Sequence, residues 1–178
     1  MILSIILIAI NVLVFIFINQ GKIDSSDYSL SYYDVSVRKQ YFRLFSSAFV
    51  HEEIIHLLMN MISLWNIIDS LEYYLNIFEI LIFYVITILV GHYFTILMRH
   101  NKQDDYTSSI GASGGICGLI GIYFAIIFVL YGGVVFSSII RSLISIALIS
   151  FLPNVDGKCH VTCLALGLIL GFIITFIF

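Results

Sequence analysis

Long apolar runs separated by a few polar segments dominate the chain, and their lengths predict its elements. Helices able to cross a membrane are expected at about residues 2–18, 54–68, 77–98, 113–131, 134–152 and 160–178. Most approach the roughly 20 residues needed to span the hydrocarbon core. The second run is short and carries polar residues, which predicts a helix packed among others. Residues 20–53 form the one long polar stretch, with Asp24, Asp27, Asp34, Arg38, Lys39 and Arg43. Tyr28, Tyr32, Tyr33, Tyr41, Phe42, Phe45 and Phe49 are interleaved there, so a loop lying in the membrane interface is expected rather than a flexible linker. The other connections, at 69–76, 99–112, 132–133 and 153–159, are tight. The first apolar run has no basic lead-in and no small-residue cleavage site before Gln20, so it is expected to remain as a helix.

Composition narrows the class. The chain has 178 residues, 61% of them hydrophobic and 11% charged, with a mean hydropathy of +1.08. A water-soluble domain of that composition could not cover itself with polar surface, so the expectation is an all-α, polytopic membrane protein forming a single domain over residues 1–178. An outer-membrane barrel would need alternating segments of roughly ten residues, and none is visible. The net charge of −3 and the lack of a basic patch give no case for nucleic acid, and no nucleic-acid partner is expected. Three cysteines (Cys117, Cys159 and Cys163) at membrane depth do not make a disulfide framework. Cys159 and Cys163 flank His160, but the spacing matches no common zinc pattern. Apolar-like packing is the expected role of these thiols, and no metal or other cofactor is expected. A small transporter has no support, because neither internal repeats nor paired broken helices occur.

Alternation of the six spans places the loops at 20–53, 99–112 and 153–159 on one face. Ser113 starts the fourth span, His160 starts the sixth, and His56 and Asn60 lie near the start of the second. Polar side chains from three segments are therefore expected to converge at one shallow depth, and polar groups at such depth usually mark function. Ser113 sits in Gly111-Ala112-Ser113-Gly114. Gly114, Gly118 and Gly121 form one helical stripe, and Gly167 with Gly171 makes a matching small-residue face on the sixth span. Close packing of those helices would bring a hydroxyl beside an imidazole, the arrangement nucleophilic catalysis requires. His56 and Asn60, at i and i+4, share one helix face and could hold an oxyanion together with the Ser113 backbone N–H. Each motif also has a plainer reading: the glycines as packing seams, Ser113 as a cap, and His56 and Asn60 as interhelical hydrogen-bond partners.

Taken together, Phe42-Arg43, His51 with His56-x-x-x-Asn60, Gly-Ala-Ser113-Gly and Val155-Asp156-x-x-x-His160 resemble the rhomboid family of intramembrane serine proteases in its minimal six-helix form. The resemblance covers nearly the whole chain. It implies an endopeptidase that cleaves transmembrane segments of other membrane proteins within the lipid bilayer, most naturally the cell membrane, by a Ser113–His160 dyad without an acidic third member. It further implies His56 and Asn60 in the oxyanion site, Arg43 in a membrane-embedded first loop, Glu72 ordering loop contacts, and structural roles for His51, Gly111, Gly114, Gly118, Gly167 and Gly171. The fifth span would gate substrate entry. Family membership implies a site opening to the extracytoplasmic side. The positive-inside rule points the other way, because all Lys and Arg residues except Arg141 fall on the site face.

Three positions depart from the family pattern. Cys117 stands where an aromatic residue usually packs on the histidine, and Thr162 and Cys163 stand where glycines usually follow it. A side chain at 163 is expected to push the fourth and sixth helices slightly apart, with Cys117 recovering the space. Both cysteines are then expected near the dyad. His92 and His100 read as single structural or interfacial histidines, Asp69 as interfacial, and Asp156 as a loop or cap residue. Ser46, Ser47, Ser108 and Ser109 are placed to wet the site. The alternative function, a catalytically silent rhomboid-like protein that binds membrane helices, would be favoured by loss of Ser113 or His160, and both are present.

Overall fold

The computed structural model describes residues 2–99, 108–135, 137, 139–141 and 156–177. Within them, α1 spans Ile2–Asn19, α2 is a single turn at Arg43–Ser46, and α3 spans Ile54–Leu71. They are followed by α4 (Ile77–Met98), α5 (Ser113–Tyr131) and α6 (Gly157–Ile177). Five of these helices are long and apolar enough to cross a membrane. Much of the span expected at 134–152, together with His100, Val155 and Phe178, lies outside the described residues.

Local chemistry explains the boundaries. Asn76 caps α4 by accepting from the backbone N–H groups of Phe78 and Glu79, while Glu79 accepts from the Asn76 N–H in return. This reciprocal pair satisfies donors that a helix start leaves bare. The last helix begins at Gly157 rather than at residue 160. Asp156 Oδ1 accepts the Cys159 N–H at 3.1 Å and so starts the helix a turn before His160. Likewise α3 runs on through Leu71, because Ile68 and Leu71 are fully buried and extend its packing face.

The bundle is arranged around α5, of which 67% is buried, against 22% for α1 and for α6. Leu3 and Leu7 of α1, Leu64 and Ile68 of α3, Ile80 and Tyr84 of α4, and Leu119 and Ile122 of α5 share one apolar core. Ile55 and Leu58 on α3, Phe78 and Ile82 on α4, and Ile169 and Phe176 on α6 face outward. Lipid can solvate those chains, so helix association depends on close packing and buried polar contacts.

The closest packing joins α5 to α6. A side-chain carbon added at Gly167 would overlap the Gly118 carbonyl, one at Gly121 would overlap the backbone of Leu164, and one at Gly171 would meet Ala125 and Ile122. The two helices run parallel, so this register, continued toward their starts, sets Ser113 level with the first turns of α6. Cys163 does not wedge the seam open, contrary to the expectation for a side chain there. Its sulfur turns toward α4, into space left by Gly91. Thr162 is half-buried and donates back to the Lys158 carbonyl at 2.6 Å.

The first loop is a folded unit. Its centre is Arg43, which is buried, donates to Gln40 Oε1 at 2.6 Å and to the carbonyls of Ser26 and Ser29 at 2.6 and 3.0 Å, and faces Asp34 at 3.9 Å. Tyr28, Tyr41, Phe42 and Phe45 point outward around it, as an interfacial loop requires. A short antiparallel bridge between Leu30 and Ser109 ties this loop to the segment that leads into α5.

Candidate active site

Ser113 is half-buried at the first position of α5. Gly111, two residues before it, has φ +106°, a conformation that L side chains rarely adopt. Its N–H donates to the Ser47 carbonyl at 2.9 Å. A side-chain carbon there would lie 2.7 Å from His56 Cε1 and 3.2 Å from Asn60 Nδ2. The bare backbone at 111 thus lets the two α3 side chains close on the chain just before Ser113.

His160 is buried in the second turn of α6 and lies within electrostatic range of His56. The structure therefore gathers residues from α3, α5 and α6 at one end of the bundle. The backbone N–H groups of the first α5 turn have no carbonyl partner within that helix and carry the positive end of its dipole.

His51 holds this cluster from behind. It is fully buried, its ring meets His56 edge-on with centroids 5.0 Å apart, and its Nε2 lies 2.9 Å from Asn60 Nδ2 and 3.4 Å from the Ala112 nitrogen. Amide nitrogens can only donate, so Nε2 accepts and the imidazole is neutral with its proton on Nδ1. Burial, helped by neighbouring His56 and opposed by the Phe49 carbonyl, pushes its pKa down to about 4. A histidine with a folded pKa below its unfolded value of about 6.5 stabilises the fold fully above that value. That stability is lost as pH falls from 6.5 toward 4. We expect a loss on the order of 3 kcal/mol across this window. His51→Gln should flatten the pH dependence of unfolding in detergent between pH 7 and 4.5, and an unchanged slope would refute the assignment.

A second polar network joins four segments around a charge that no sequence pattern singles out. Arg99, only 2% exposed, donates to Asp156 Oδ2 at 2.5 Å, to Ser109 Oγ at 2.5 Å and to the Leu30 carbonyl at 3.3 Å. Ser109 also donates to Asp156. Burial pushes the Asp156 carboxyl up, but Arg99, Ser109 and the Cys159 N–H outweigh it and hold the group below its usual value. Asp156 is accordingly an ionised cap rather than a proton donor. Arg99 was missed because a cation at the end of an apolar run reads as an interfacial anchor.

His92 also differs from its expected isolation. Its Nδ1 lies 2.7 Å from the Leu44 carbonyl and 3.4 Å from Ser47 Oγ, and its ring is hydrogen-bonded to Cys159. Ser47, His92, Ser109, Gly111, Ser113, Asp156 and Cys159 line a cavity about the size of one water molecule. Two of the serines expected to wet the site therefore border it, while Ser46 is taken by the Tyr28 carbonyl at 3.1 Å. Cys117, Cys159 and Cys163 pack together. Glu72 is exposed just beyond α3, its N–H bonded to the Ile68 carbonyl. Gly114 faces the side chains of His92 and Cys159, and Gly118 faces Thr87.

A helical, multi-pass membrane protein with a serine, histidines and an asparagine gathered at one end of its bundle is the class these features define. Residues 38–176 match the family model of the Rhomboid domain, and the chain belongs to the rhomboid family. It is 30% identical over 139 residues to RHOMBOID-like protein 4 of Arabidopsis thaliana, an alignment covering 74% of this chain and 34% of that protein. It is 31% identical over 139 residues to RHOMBOID-like protein 5 of the same plant, covering 74% of this chain and 43% of that one. The chain thus spans less than half the length of either relative.

Proposed function

We propose that this protein is an intramembrane serine endopeptidase acting on transmembrane segments of other membrane proteins. The observation that carries the reading is the convergence, behind Gly111, of His56 and Asn60 with the starts of α5 and α6. In this mechanism Ser113 attacks the scissile carbonyl as His160 takes the hydroxyl proton. His160 then returns the proton to the leaving amine, and water clears the acyl-enzyme with the same histidine as base. The developing oxyanion is met by the Ser113 N–H at the α5 terminus, by His56 and by Asn60. Asn60 is suited to that role because one amide N–H is anchored on His51 and the other remains for the substrate. A substrate helix must unwind locally, since hydrogen-bonded carbonyls are hidden from attack.

The test is cleavage of a transmembrane reporter by the purified full chain in liposomes, with products mapped by mass spectrometry. Specific cleavage supports the peptidase. Binding of the reporter without cleavage would instead favour a silent helix-binding scaffold. Within an active preparation, Asn60→Ala is expected to lower kcat by about 10²–10³-fold with little change in KM. An effect confined to KM would remove Asn60 from the oxyanion site.

A further inference from the structure

Behind the Ser113 cavity lies a group of side chains that the proteolytic reading does not use. His92 from α4 and Cys159 and Cys163 from α6 are all buried, and one ligand atom from each lies within 4.8 Å of the others. We propose that these three residues form a binding site for a zinc ion, with a fourth coordination position opening on the water-sized cavity.

Four observations carry this assignment. The sulfurs of Cys159 and Cys163 are 3.9 Å apart. Two thiolates on tetrahedral zinc, with Zn–S bonds of about 2.3 Å, stand about 3.8 Å apart. The second observation is the orientation of His92. A backbone carbonyl accepts from an N–H, so the 2.7 Å contact to Leu44 puts the ring proton on Nδ1, and the Nε2 lone pair faces the Cys159 thiol, whose proton a metal ion would replace. A carbonyl holding the far nitrogen is the usual arrangement behind a metal-bound histidine.

The third is that this lone pair is aimed at the sulfurs. A side-chain carbon at Gly114 would lie 2.7 Å from His92 Nε2 and 2.9 Å from Cys159 Sγ, so both atoms crowd one bare stretch of α5. On the opposite side, Gly91 leaves the room that Cys163 Sγ fills. The fourth is charge. Two thiolates and a neutral imidazole around a divalent cation sum to zero, the form that membrane depth tolerates. A monovalent copper ion in the same place would leave a buried net negative charge. The nearby Asp156 is already neutralised by Arg99 and does not supply that balance. Thiolate donors exclude magnesium and calcium, which take oxygen ligands.

The experiment uses the full chain in detergent, stripped of metal and titrated with zinc, with elemental analysis as the readout and no assay of proteolysis. About one zinc per chain is expected for the unmutated protein and for Cys117→Ala. Cys163→Ala and His92→Ala should each weaken binding by about 100-fold. Cobalt should give the sulfur-to-metal charge-transfer absorption of thiolate ligation. In the unmutated chain, zinc should also protect Cys159 and Cys163, but not Cys117, from alkylation as mapped by peptide mass spectrometry. Less than about 0.1 zinc per chain, monovalent copper bound in place of zinc, or zinc binding that survives the double change Cys159→Ala with Cys163→Ala would overturn the proposal. The alkylation pattern tests it independently should a variant fail to fold.

Discussion

Ser113→Ala is expected to reduce cleavage of a transmembrane reporter by about 10⁴-fold or more, leaving only what binding and the oxyanion donors supply. His160→Ala should cost about as much, and the double variant no more than either alone, because a nucleophile and its base act as one unit. The loss must be chemical and not a collapse of the fold. Ser113 is half-buried at the start of a helix whose N-cap is Ala112, with no side-chain cap hydrogen bond, so removing the oxygen should change stability by less than about 1 kcal/mol. Equilibrium unfolding in mixed micelles alongside the cleavage assay separates the two effects. A Ser113→Ala protein that folds normally and cleaves within tenfold of the parent would end the serine mechanism.

The second large effect is expected at Arg99, outside the proposed chemistry. Arg99→Ala leaves the half-buried Asp156 carboxylate without its cation and removes the tie among the first loop, the end of α4 and the starts of α5 and α6. Breaking a buried ion pair by removing one partner costs roughly 3–5 kcal/mol. Arg99→Lys should recover only part of this, because an ammonium cannot match the guanidinium fork that reaches Asp156, Ser109 and the Leu30 carbonyl together. Asp156→Asn should cost less than Arg99→Ala, since an amide can still cap α6. SDS-induced unfolding of the three variants gives the ranking. A loss below about 1 kcal/mol for Arg99→Ala would mean that the network does not hold the site.

Much of the bundle could be read from hydropathy because transmembrane helices announce themselves by length. The helices Ile77–Met98 and Ser113–Tyr131 fall where the apolar runs end, each bounded by a polar or glycine-containing turn. The start of α6 was displaced because Asp156 caps it from outside the apolar run, a side-chain effect that mean polarity does not register. Gly111, His56 and Asn60 were legible as candidates because polar and glycine residues at membrane depth are conspicuous. Their meeting depended on helix register.

The partners of single residues were less accessible. His92 looked isolated in sequence because Leu44, Ser47 and Cys159 come from the first loop and from α6. Cys163 looked like a wedge between α5 and α6, yet the rotation of α6 turns its sulfur to Gly91 on α4. A one-dimensional pattern carries periodicity along a helix but no information on which neighbour each face meets.

Sequence by itself therefore determined the class, the approximate positions of the described spans and the polar residues available for chemistry, since burial in lipid constrains composition residue by residue. Tertiary structure alone decided that Arg99 pairs with Asp156, that His51 orients Asn60, and that two thiols of α6 and an imidazole of α4 lie within 4.8 Å of one another. Those outcomes depend on helix rotation and on the backbone approach that Gly111, Gly114 and Gly167 permit. Both are set by packing among all the helices at once.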